Sequence, residues 1–410
     1  MNSAPAPPIL SYEEAALVVR RECERIRARP GAQEPMPLLA AAGRVLAEPV
    51  AADRDQPPFA RSTRDGFACR SAELVRGALR IAGLLRAGQP WAGGALGAGE
   101  AVEIMTGAAV PPGADCVAMV EHVTVAEGRV QLNGQRLPAF GENIVPAGAE
   151  AHRGDVILPA GRRLGPAEIA AAAACGAANV VVSARPRVAV LATGDELVEV
   201  AQSPLAHQIR NSNSYSLAAQ VAAAGGTPEL FPIVRDEVSE TEAAIRQAMP
   251  FDLILLTGGV SMGRFDYVEP ALLGAGAEFL FTGVRMQPGK PVVFGRLGEK
   301  PFFGLPGNPI STMVTFALFV SPLLRALGGE KETAPRFRMA RLEEDVAVKA
   351  GLTRFLPARL QSDVQETSVR RIAWQGSGDL TAAARANVFL VVPEDRERLD
   401  EGAIVSVLEL

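Results

Sequence analysis

Two short segments of this chain are apolar at every position instead of at alternate positions. They are residues 188–192, in RVAVLATGDEL, and residues 253–256, in DLILLTGG. A strand with one face in water alternates apolar and polar residues, so a strand without alternation has to be covered on both faces. The chain between them has helical spacing over residues 212–224 and 238–249. This order predicts a doubly wound, parallel-type α/β domain with helices on both faces of its sheet.

Helix start signals occur at two places. Ser11, with Glu14 three residues later, predicts a capping box at the start of the helix SYEEAALVVRRECERIRAR. Ser239 and Glu242 form the same pattern in VSETEAAIRQAM. A third helical stretch, GPAEIAAAAACGA, ends at Gly176 and leads into the strand-like NVVVSA.

The rest of the chain is typical of β structure. Residues 45–145 consist of short Val, Ile and Leu runs broken by Gly and Pro, which indicates a β-rich domain of short strands and turns. After Gly328 and Gly329 the sequence alternates and becomes polar, which predicts a small C-terminal β domain. We therefore expect an α/β multidomain protein.

The charge balance and the cysteines exclude several classes of protein. A net charge of -5 offers no chain-wide positive field for a nucleic acid. The four cysteines lie far apart without a CxxC pair, which disfavours a disulfide scaffold or structural zinc. Reduced thiols in a cytoplasmic protein fit this pattern best. The N-terminus, MNSAPAPPIL, has neither the basic start nor the apolar run of a signal peptide.

One uncharged stretch, residues 301–324, is long enough to cross a membrane. Four prolines, two glycines and an asparagine interrupt it. These residues predict a loop followed by a buried helix, so we predict no membrane segment.

Three glycine-containing loops follow predicted strands of the α/β domain. In a doubly wound sheet, ligands bind beyond the carboxyl ends of the strands. The candidate ligand-binding residues of these loops are Thr193, Gly194, Asp195 and Glu196; Gly258, Gly259, Ser261 and Asp266; and Pro306, Gly307, Asn308, Pro309 and Ser311. Asn308 suits an N-cap and Pro309 a first helical position, so a helix with free backbone amides is expected there.

The residue types in these loops suit phosphate and a hard cation. Glycines let backbone amides approach a phosphate, while carboxylates, including Asp236, can hold Mg²⁺ through oxygen ligands. A single glycine loop is more often only a turn, and an acidic loop residue is usually only solvated. Three such loops on one edge favour a binding site. The loops contain no GxGxxG or Walker A sequence, which disfavours an NAD enzyme or a P-loop kinase.

A colinear set of motifs runs through the whole chain. TGDE, RDE, GGVSMGRFDY, PGKPVVFG and GLPGNPIS follow one another, after RDGFA, IMTGA and GENIVPAGAE. In this order they resemble the molybdopterin molybdenumtransferases, the family that includes bacterial MoeA and the C-terminal part of gephyrin. The resemblance extends from about residue 10 to the C-terminus. A colinear set is far more specific than any one of its motifs.

The resemblance implies a four-part subunit in an elongated homodimer. Residues 1–45 and 146–183 would form a discontinuous N-terminal domain, with a β-rich domain inserted over 46–145. The α/β molybdopterin-binding domain would span 184–328, and the C-terminal β domain 329–410. The active site would lie between the α/β domain of one subunit and the inserted domain of the other.

The resemblance also implies roles for individual residues. Asp65 and Thr106 would act from the inserted domain across the dimer interface. The α/β crevice would provide catalytic and metal-binding carboxylates from Glu196, Asp236 and Asp266. Substrate-binding positions would be Thr193, Gly194, Asp195, Gly258, Gly259, Ser261, Lys290, Pro306, Gly307, Asn308, Pro309 and Ser311.

The implied reaction depends on Mg²⁺ and has two substrates, molybdate and adenylylated molybdopterin. Molybdate is coordinated by the dithiolene while the pyrophosphate link to AMP is cleaved. The implied protein partners are the molybdopterin adenylyltransferase and the molybdoenzymes that receive the cofactor. No nucleic acid or membrane is implied.

Some positions depart from the family pattern. Arg64 stands where methionine is commoner, while Gln287 and Gly283 stand where many relatives have lysine. We consider Arg64, Arg285 and Lys290 as replacement cations, although Lys and Arg bind anions with different geometry. The alternative for Arg285 is a solvated surface charge.

Three other functions remain open. The preceding step, adenylylation of molybdopterin, is carried out by enzymes that share the α/β domain, but that domain accounts for under half of this chain. A non-catalytic paralogue that binds pterin or a partner protein would not need a full carboxylate set. A dehydrogenase is the poorest alternative, because its fingerprint is absent.

Overall fold

The computed structural model describes residues 9–29, 31–134, 136–259 and 267–410. The chain begins with helix α1 (Tyr12–Arg27), strand β1 (Gln33–Pro37), a 3₁₀ turn and strand β2 (Val50–Ala51). The Glu14 N–H donates to Ser11 Oγ at 3.2 Å, and the Ser11 N–H donates to Glu14 Oε2 at 2.7 Å. The predicted capping box of the first helix is therefore confirmed.

The β-rich region follows. Its elements are β3 (Arg61–Ser62), β4 (Gly66–Cys69), α2 (Ser71–Leu74), β5 (Leu79–Leu85), β6 (Glu100–Ile104), β7 (Cys116–Met119), β8 (Val123–Ala126) and β9 (Arg129–Leu132). All but β3 of these strands form one sheet in the order β7-β4-β6-β5-β9-β8. Phe67 belongs to an apolar cluster on one face of this sheet, and Val102 belongs to a second apolar cluster on the other face.

The segments on either side of this region belong together. The next elements are β10 (Ile144–Val145), β11 (Val156–Leu158), α3 (Pro166–Ala174) and β12 (Asn179–Ser183). Strands β12, β11 and β10 pair antiparallel with β1, β2 and β3 respectively. Leu46 and Val50 pack in one core with Leu158 and Leu164. The chain therefore stays in this unit past residue 46, where the inserted domain is predicted to begin, because β2 needs β11 as its partner.

The α/β domain has the predicted alternation of strands and helices. Its first half contains β13 (Arg187–Ala192), β14 (Leu197–Val198), β15 (Ile209–Arg210), α4 (Ser212–Ala223), β16 (Thr227–Leu230), α5 (Val238–Ala248) and β17 (Leu253–Thr257). Its second half contains α6 (Val268–Gly274), β18 (Ala277–Phe281), β19 (Met286–Gln287), β20 (Val293–Leu297), β21 (Lys300–Leu305), α7 (Pro309–Thr315), a π-helical segment (Phe316–Val320) and α8 (Ser321–Leu327).

The main sheet of this domain has the order β16-β13-β17-β21-β20-β18. Val188 and Val190 pack in a core that includes α4, α7 and α8, whereas Ala189 and Leu191 pack with α5 and α6. The doubly wound α/β fold predicted from the strands without alternation is confirmed.

Strand β20 is the exception to the parallel arrangement. It runs antiparallel to both β21 and β18. Leu297 pairs with Lys300, so only two residues connect β20 to β21, and Gly298 has φ +59°. A two-residue connection can only form an antiparallel hairpin, which explains the difference from a purely parallel sheet.

Two local predictions need correction. Helix α5 begins at Val238 with Glu237 as its N-cap and no side-chain cap, so Ser239 lies inside the first turn and the predicted capping box does not form. Residues 301–305 belong to β21 and are not the predicted loop. Within the described residues, the run Pro309–Leu327 could cross a membrane by length and composition alone, but 72% of its apolar window is buried in the protein. The prediction of a buried helix is confirmed.

The C-terminal segment folds as a second β unit. It contains β22 (Phe337–Leu342), β23 (Val346–Ala347), β24 (Thr353–Ser362), β25 (Thr367–Arg371), α9 (Leu380–Arg385), β26 (Val388–Val392), β27 (Arg398–Leu399) and β28 (Ile404–Glu409). Its sheet has the order β19-β24-β25-β22-β28-β26, and β24 also pairs with β26, so the strands close into a ring. Strand β19 comes from the α/β segment and joins the two units.

Candidate functional site

The three predicted loops meet at one edge of the main sheet. Strands β13, β17 and β21 are parallel neighbours, so their carboxyl ends lie side by side. The Thr193 N–H donates to Thr257 O at 3.0 Å, and the Gly258 N–H donates to Leu305 O at 3.3 Å. The structure therefore brings the first, second and third loops into contact.

The paired glycines are required by this contact. Gly258 has φ +92°, and a Cβ there would lie 2.3 Å from Thr193 O. Gly259 has φ +62°, and a Cβ there would lie 2.9 Å from Thr193 Oγ1. Any larger residue would collide with the first loop, so the two glycines keep the first and second loops together.

Asn213, on helix α4, is a site residue that the sequence analysis missed. Its Nδ2 donates to Thr257 Oγ1 at 3.0 Å and to Gly307 O at 2.7 Å. It therefore joins the second and third loops directly. The run NSNS, residues 211–214, contains two asparagines at the start of α4, and only one is needed as the N-cap. Asn211 takes that role by accepting the Ser214 N–H, so the second asparagine, Asn213, was the signal for a site residue.

The third loop ends at the start of helix α7. Asn308 and Pro309 occupy the N-cap and first helical positions, although the Asn308 side chain makes no cap hydrogen bond. The Ile310 N–H donates to Ser377 O at 2.9 Å. One of the amides expected to be free is thus used by the C-terminal unit, which packs on the helix start. Ser311 is buried in the first turn.

Three acidic residues face one another beside the first loop. The Asp195 N–H donates to Asp236 Oδ2 and the Asp236 N–H donates to Asp195 Oδ1, both at 3.4 Å. Burial raises the pKa of Asp236, and the charges of Asp195 and Glu196 raise this pKa further, against a lowering hydrogen bond from Asp195. Gly194 has φ +152°, and a Cβ there would lie 2.6 Å from Glu196 Oε2, so the glycine makes room for that carboxylate.

The carboxylate cluster fits a hard cation in its chemistry. Burial and the charges of Asp195 and Glu196 raise the pKa of Asp236, and a bound cation would offset both effects. Carboxylate oxygens are the ligands that Mg²⁺ prefers. Among the described residues no group of three or more His, Cys, Asp or Glu side chains is already arranged to hold a metal. The third predicted ligand, Asp266, and the predicted hydroxyl donor Ser261 lie outside the described residues.

Asp236→Asn should raise the melting temperature at neutral pH, because it removes a carboxylate whose ionised form is disfavoured in the folded state. A carboxyl group whose pKa is higher in the folded than in the unfolded protein stabilises the fold fully at pH values below the unfolded pKa. This stabilisation is lost as the pH rises through the folded pKa. The gain should therefore shrink as pH falls through this raised pKa. Thermal melts of both proteins across the acidic range test this, and a gain that does not depend on pH contradicts it.

Asp65 and Thr106 form a second, separate pair on the inserted sheet. The Thr106 N–H and its Oγ1–H both donate to Asp65 Oδ1 at 2.7 Å. These two hydrogen bonds lower the pKa of Asp65. Both side chains are exposed, so the pair presents a fixed carboxylate at the surface of a different domain from the three loops.

The three candidate replacement cations differ in their exposure and in their hydrogen-bond partners. Arg285 is engaged, since its Nε lies 3.3 Å from Glu394 Oε1 and its Nη1 donates to Ile9 O at 3.4 Å. Arg64 is exposed next to Asp65, on a turn held by Ser62, whose Oγ donates to Arg64 O at 2.5 Å. Lys290 is exposed, and its carbonyl accepts the Val284 N–H at 2.9 Å.

Family models match almost the whole chain. The MoeA N-terminal region (domain I and II) matches residues 10–176, the probable molybdopterin binding domain residues 189–326, and the MoeA C-terminal region (domain IV) residues 339–410. The three matched segments follow the order of the structural units.

Named relatives and solved structures agree. The chain is 34% identical to the molybdopterin molybdenumtransferase of Bacillus subtilis (strain 168), covering 89% of this chain and 87% of the relative. It is also 34% identical to that of Nostoc sp. (strain PCC 7120), covering 99% and 95%. The molybdopterin biosynthesis MoeA protein of Pyrococcus horikoshii OT3 is 28% identical, with a TM-score of 0.82 over 98% of this chain and 100% of that one. The resemblance of the motifs is confirmed, and the chain belongs to the molybdopterin molybdenumtransferase family of transferase enzymes.

Proposed function

We propose that this chain inserts molybdenum from molybdate into adenylylated molybdopterin, with Mg²⁺-dependent release of AMP. The observation that carries the proposal is the meeting of three loops and a carboxylate cluster at the edge of the segment that matches a molybdopterin-binding domain. Its relatives are named for molybdenum transfer to molybdopterin.

Different residues of the site would bind the phosphates and the cation. The Gly259 amide and the amides of the loop before α7 would face the substrate's phosphates, since the Gly258 amide already donates to Leu305 O. The close contact between Gly258 and Thr193 O keeps the loops together. Glu196 and Asp236, with Asp195 beside them, would hold Mg²⁺. Mg²⁺ supplies positive charge that offsets the phosphate groups as the link to AMP is cleaved. The amides, fixed before substrate arrives, need no reorganisation during the reaction.

The Asp65–Thr106 pair enters the proposal through a homodimer. The pair is exposed and rigidly hydrogen-bonded, which suits a group that completes the crevice of a second copy. Arg64 and Lys290, both exposed, are the proposed anion-binding cations, while Arg285 is tied to Glu394. We place the enzyme in the cytoplasm, where the adenylyltransferase would supply its substrate and molybdoenzymes would take its product.

Genetic complementation tests this function against its alternatives. Expression of the chain in a bacterium that lacks its molybdopterin molybdenumtransferase should restore molybdoenzyme activity. Asp65→Asn should restore much less, since the amide cannot supply the negative charge that Thr106 holds in place. If the chain restores molybdoenzyme activity only in a strain that lacks the adenylyltransferase, the result would favour adenylylation of molybdopterin as its reaction. Failure in both strains, with soluble protein present, would favour a binding-only role.

A further inference from the structure

The backbone carbonyl groups of the third loop face the interior of the α/β domain. The Thr257 hydroxyl donates to Pro306 O at 3.3 Å, and the Thr312 hydroxyl donates to the same oxygen at 2.6 Å. The Thr312 hydroxyl also lies 3.1 Å from Asn308 O. Thr257 is 2% exposed and Thr312 is 1% exposed, so these hydrogen bonds lie beneath the loop, on its buried side.

Asn213 holds the carbonyl between these two. Its Nδ2 donates to Gly307 O at 2.7 Å and to the Thr257 hydroxyl at 3.0 Å. A carbonyl oxygen can only accept a hydrogen bond, so the atom that faces Gly307 O has to be Nδ2. The other end of the amide, Oδ1, is buried without a partner among the described residues, which is unfavourable for stability. A side chain that is unfavourable for stability is expected at a functional site.

These contacts fix the direction of two backbone amides. In a trans peptide unit the N–H points opposite to the C=O, so the Gly307 N–H is opposite to Pro306 O and the Asn308 N–H is opposite to Gly307 O. Both N–H groups therefore point away from the buried side chains, towards the exposed side of the loop. Within the described part of the chain, neither N–H has a hydrogen-bond acceptor.

We propose that Asn213 is a positioning residue, which aims the Gly307 and Asn308 amides at the pyrophosphate link of the substrate. This inference rests on the proposed function, because that function supplies the pyrophosphate. Two adjacent N–H donors, held on one side of a loop at the carboxyl edge of the sheet, suit an anion. Asn213 acts through the loop, since its Nδ2 is already used by Gly307 O and by the Thr257 hydroxyl.

Asn213→Leu tests this role, because leucine has a similar volume but cannot donate to Gly307 O. Calorimetric titration of the full-length protein with inorganic pyrophosphate and Mg²⁺ should show binding about tenfold weaker than in the wild type. The affinity for Mg²⁺ alone should not change, because the carboxylates lie on and beside the first loop, whereas Asn213 contacts the second and third. Equal pyrophosphate affinities in the two proteins, or a wild type that does not bind pyrophosphate, overturn the proposal.

Thr257→Val tests the same contacts from strand β17. Valine keeps the branched shape and removes the hydroxyl that contacts both Asn213 Nδ2 and Pro306 O. This variant should also bind pyrophosphate about tenfold more weakly. If the two side chains position the loop as one unit, the double variant should be within a factor of about two of the weaker single variant. Losses that multiply to about a hundredfold contradict the shared role.

Asn387→Leu is the matched control. Asn387 also joins two segments through its side-chain amide, but within the C-terminal unit: its Nδ2 donates to Leu360 O at 2.9 Å, and its Oδ1 accepts the Leu360 N–H at 2.7 Å. This control should lower the melting temperature and leave the affinity for pyrophosphate unchanged. Weaker pyrophosphate binding in the control would show a general loosening of the protein and overturn the proposal. If the wild type fails complementation while Asn213→Leu still weakens pyrophosphate binding, the positioning role stands and only the insertion activity is rejected.

Discussion

Replacement of Glu196 by Gln should lower the rate of molybdate-dependent AMP release by a factor on the order of 100 or more, with the fold intact. Glutamine has the same shape and can stay above Gly194, where Glu196 Oε2 now lies. What it removes is the negative charge beside Asp195 and Asp236. Since Glu196 is exposed, its loss should change the melting temperature little.

Glu199→Gln is the control for this prediction. Glu199 is an exposed carboxylate three residues farther along, and its N–H is held by Gln202 Oε1 at 3.3 Å. The control should keep the wild-type rate. Single-turnover AMP release, measured for both variants beside the wild type, gives the comparison. A Glu196→Gln rate within a factor of about two of the wild type would exclude Glu196 from the proposed role.

Replacement of Glu330 by Ala should lower the free energy of unfolding by about 3–5 kcal/mol. Glu330 is 5% exposed and accepts hydrogen bonds from Arg163 at 2.7 Å and from Arg325 at 2.9 and 3.0 Å. Arg163 belongs to the discontinuous N-terminal unit and Arg325 to helix α8. Removal of the carboxylate would leave two guanidinium groups close together and partly buried, at the junction of three structural units.

The pH dependence of this loss follows from the pKa of Glu330. Burial acts to raise this pKa, but the hydrogen bonds from Arg325 and Arg163 outweigh burial and lower it. A carboxyl group whose pKa is lower in the folded than in the unfolded protein stabilises the fold at pH values above the unfolded pKa. This stabilisation is lost as the pH falls through the folded pKa. Denaturant melts should therefore show a large difference between wild type and Glu330→Ala at neutral pH and a small one in strong acid.

An exposed ion pair provides the comparison for Glu330. Asp400 lies 2.7 Å from Arg398, and both side chains are mostly in water. Asp400→Ala should cost at most about 1 kcal/mol. If Glu330→Ala costs as little as Asp400→Ala, the buried triad does not hold the three units together.

Local patterns in the sequence were sufficient for much of the fold. The capping box of α1 depends on residues three apart, and it forms as expected. Residues 188–192 and 253–256, apolar at every position, identified two neighbouring interior strands of a sheet covered on both faces. Such signals are complete within one segment, so they can be recognised without knowledge of the rest of the chain.

Features that depend on which partner a segment pairs with were not predictable in this way. The direction of β20 is set by its two-residue hairpin to β21, and the proline-rich sequence there suggested a loop. The Ile310 amide was expected to be free, but Ser377, from the C-terminal unit, accepts its hydrogen bond. Asn213 became a site residue only when α4 brought it against Thr257 and Gly307. Each of these depends on a partner that sequence periodicity does not identify.

Molybdate-dependent AMP release is the most direct test of the central claim. Purified wild-type protein would be mixed with adenylylated molybdopterin and Mg²⁺, with and without molybdate, and AMP and protein-bound molybdenum would be measured together. The proposed function predicts that AMP appears only when molybdate and Mg²⁺ are both present, with molybdenum retained in equal amount. Tight binding of the pterin substrate without AMP release would contradict it and identify the chain as a binding protein.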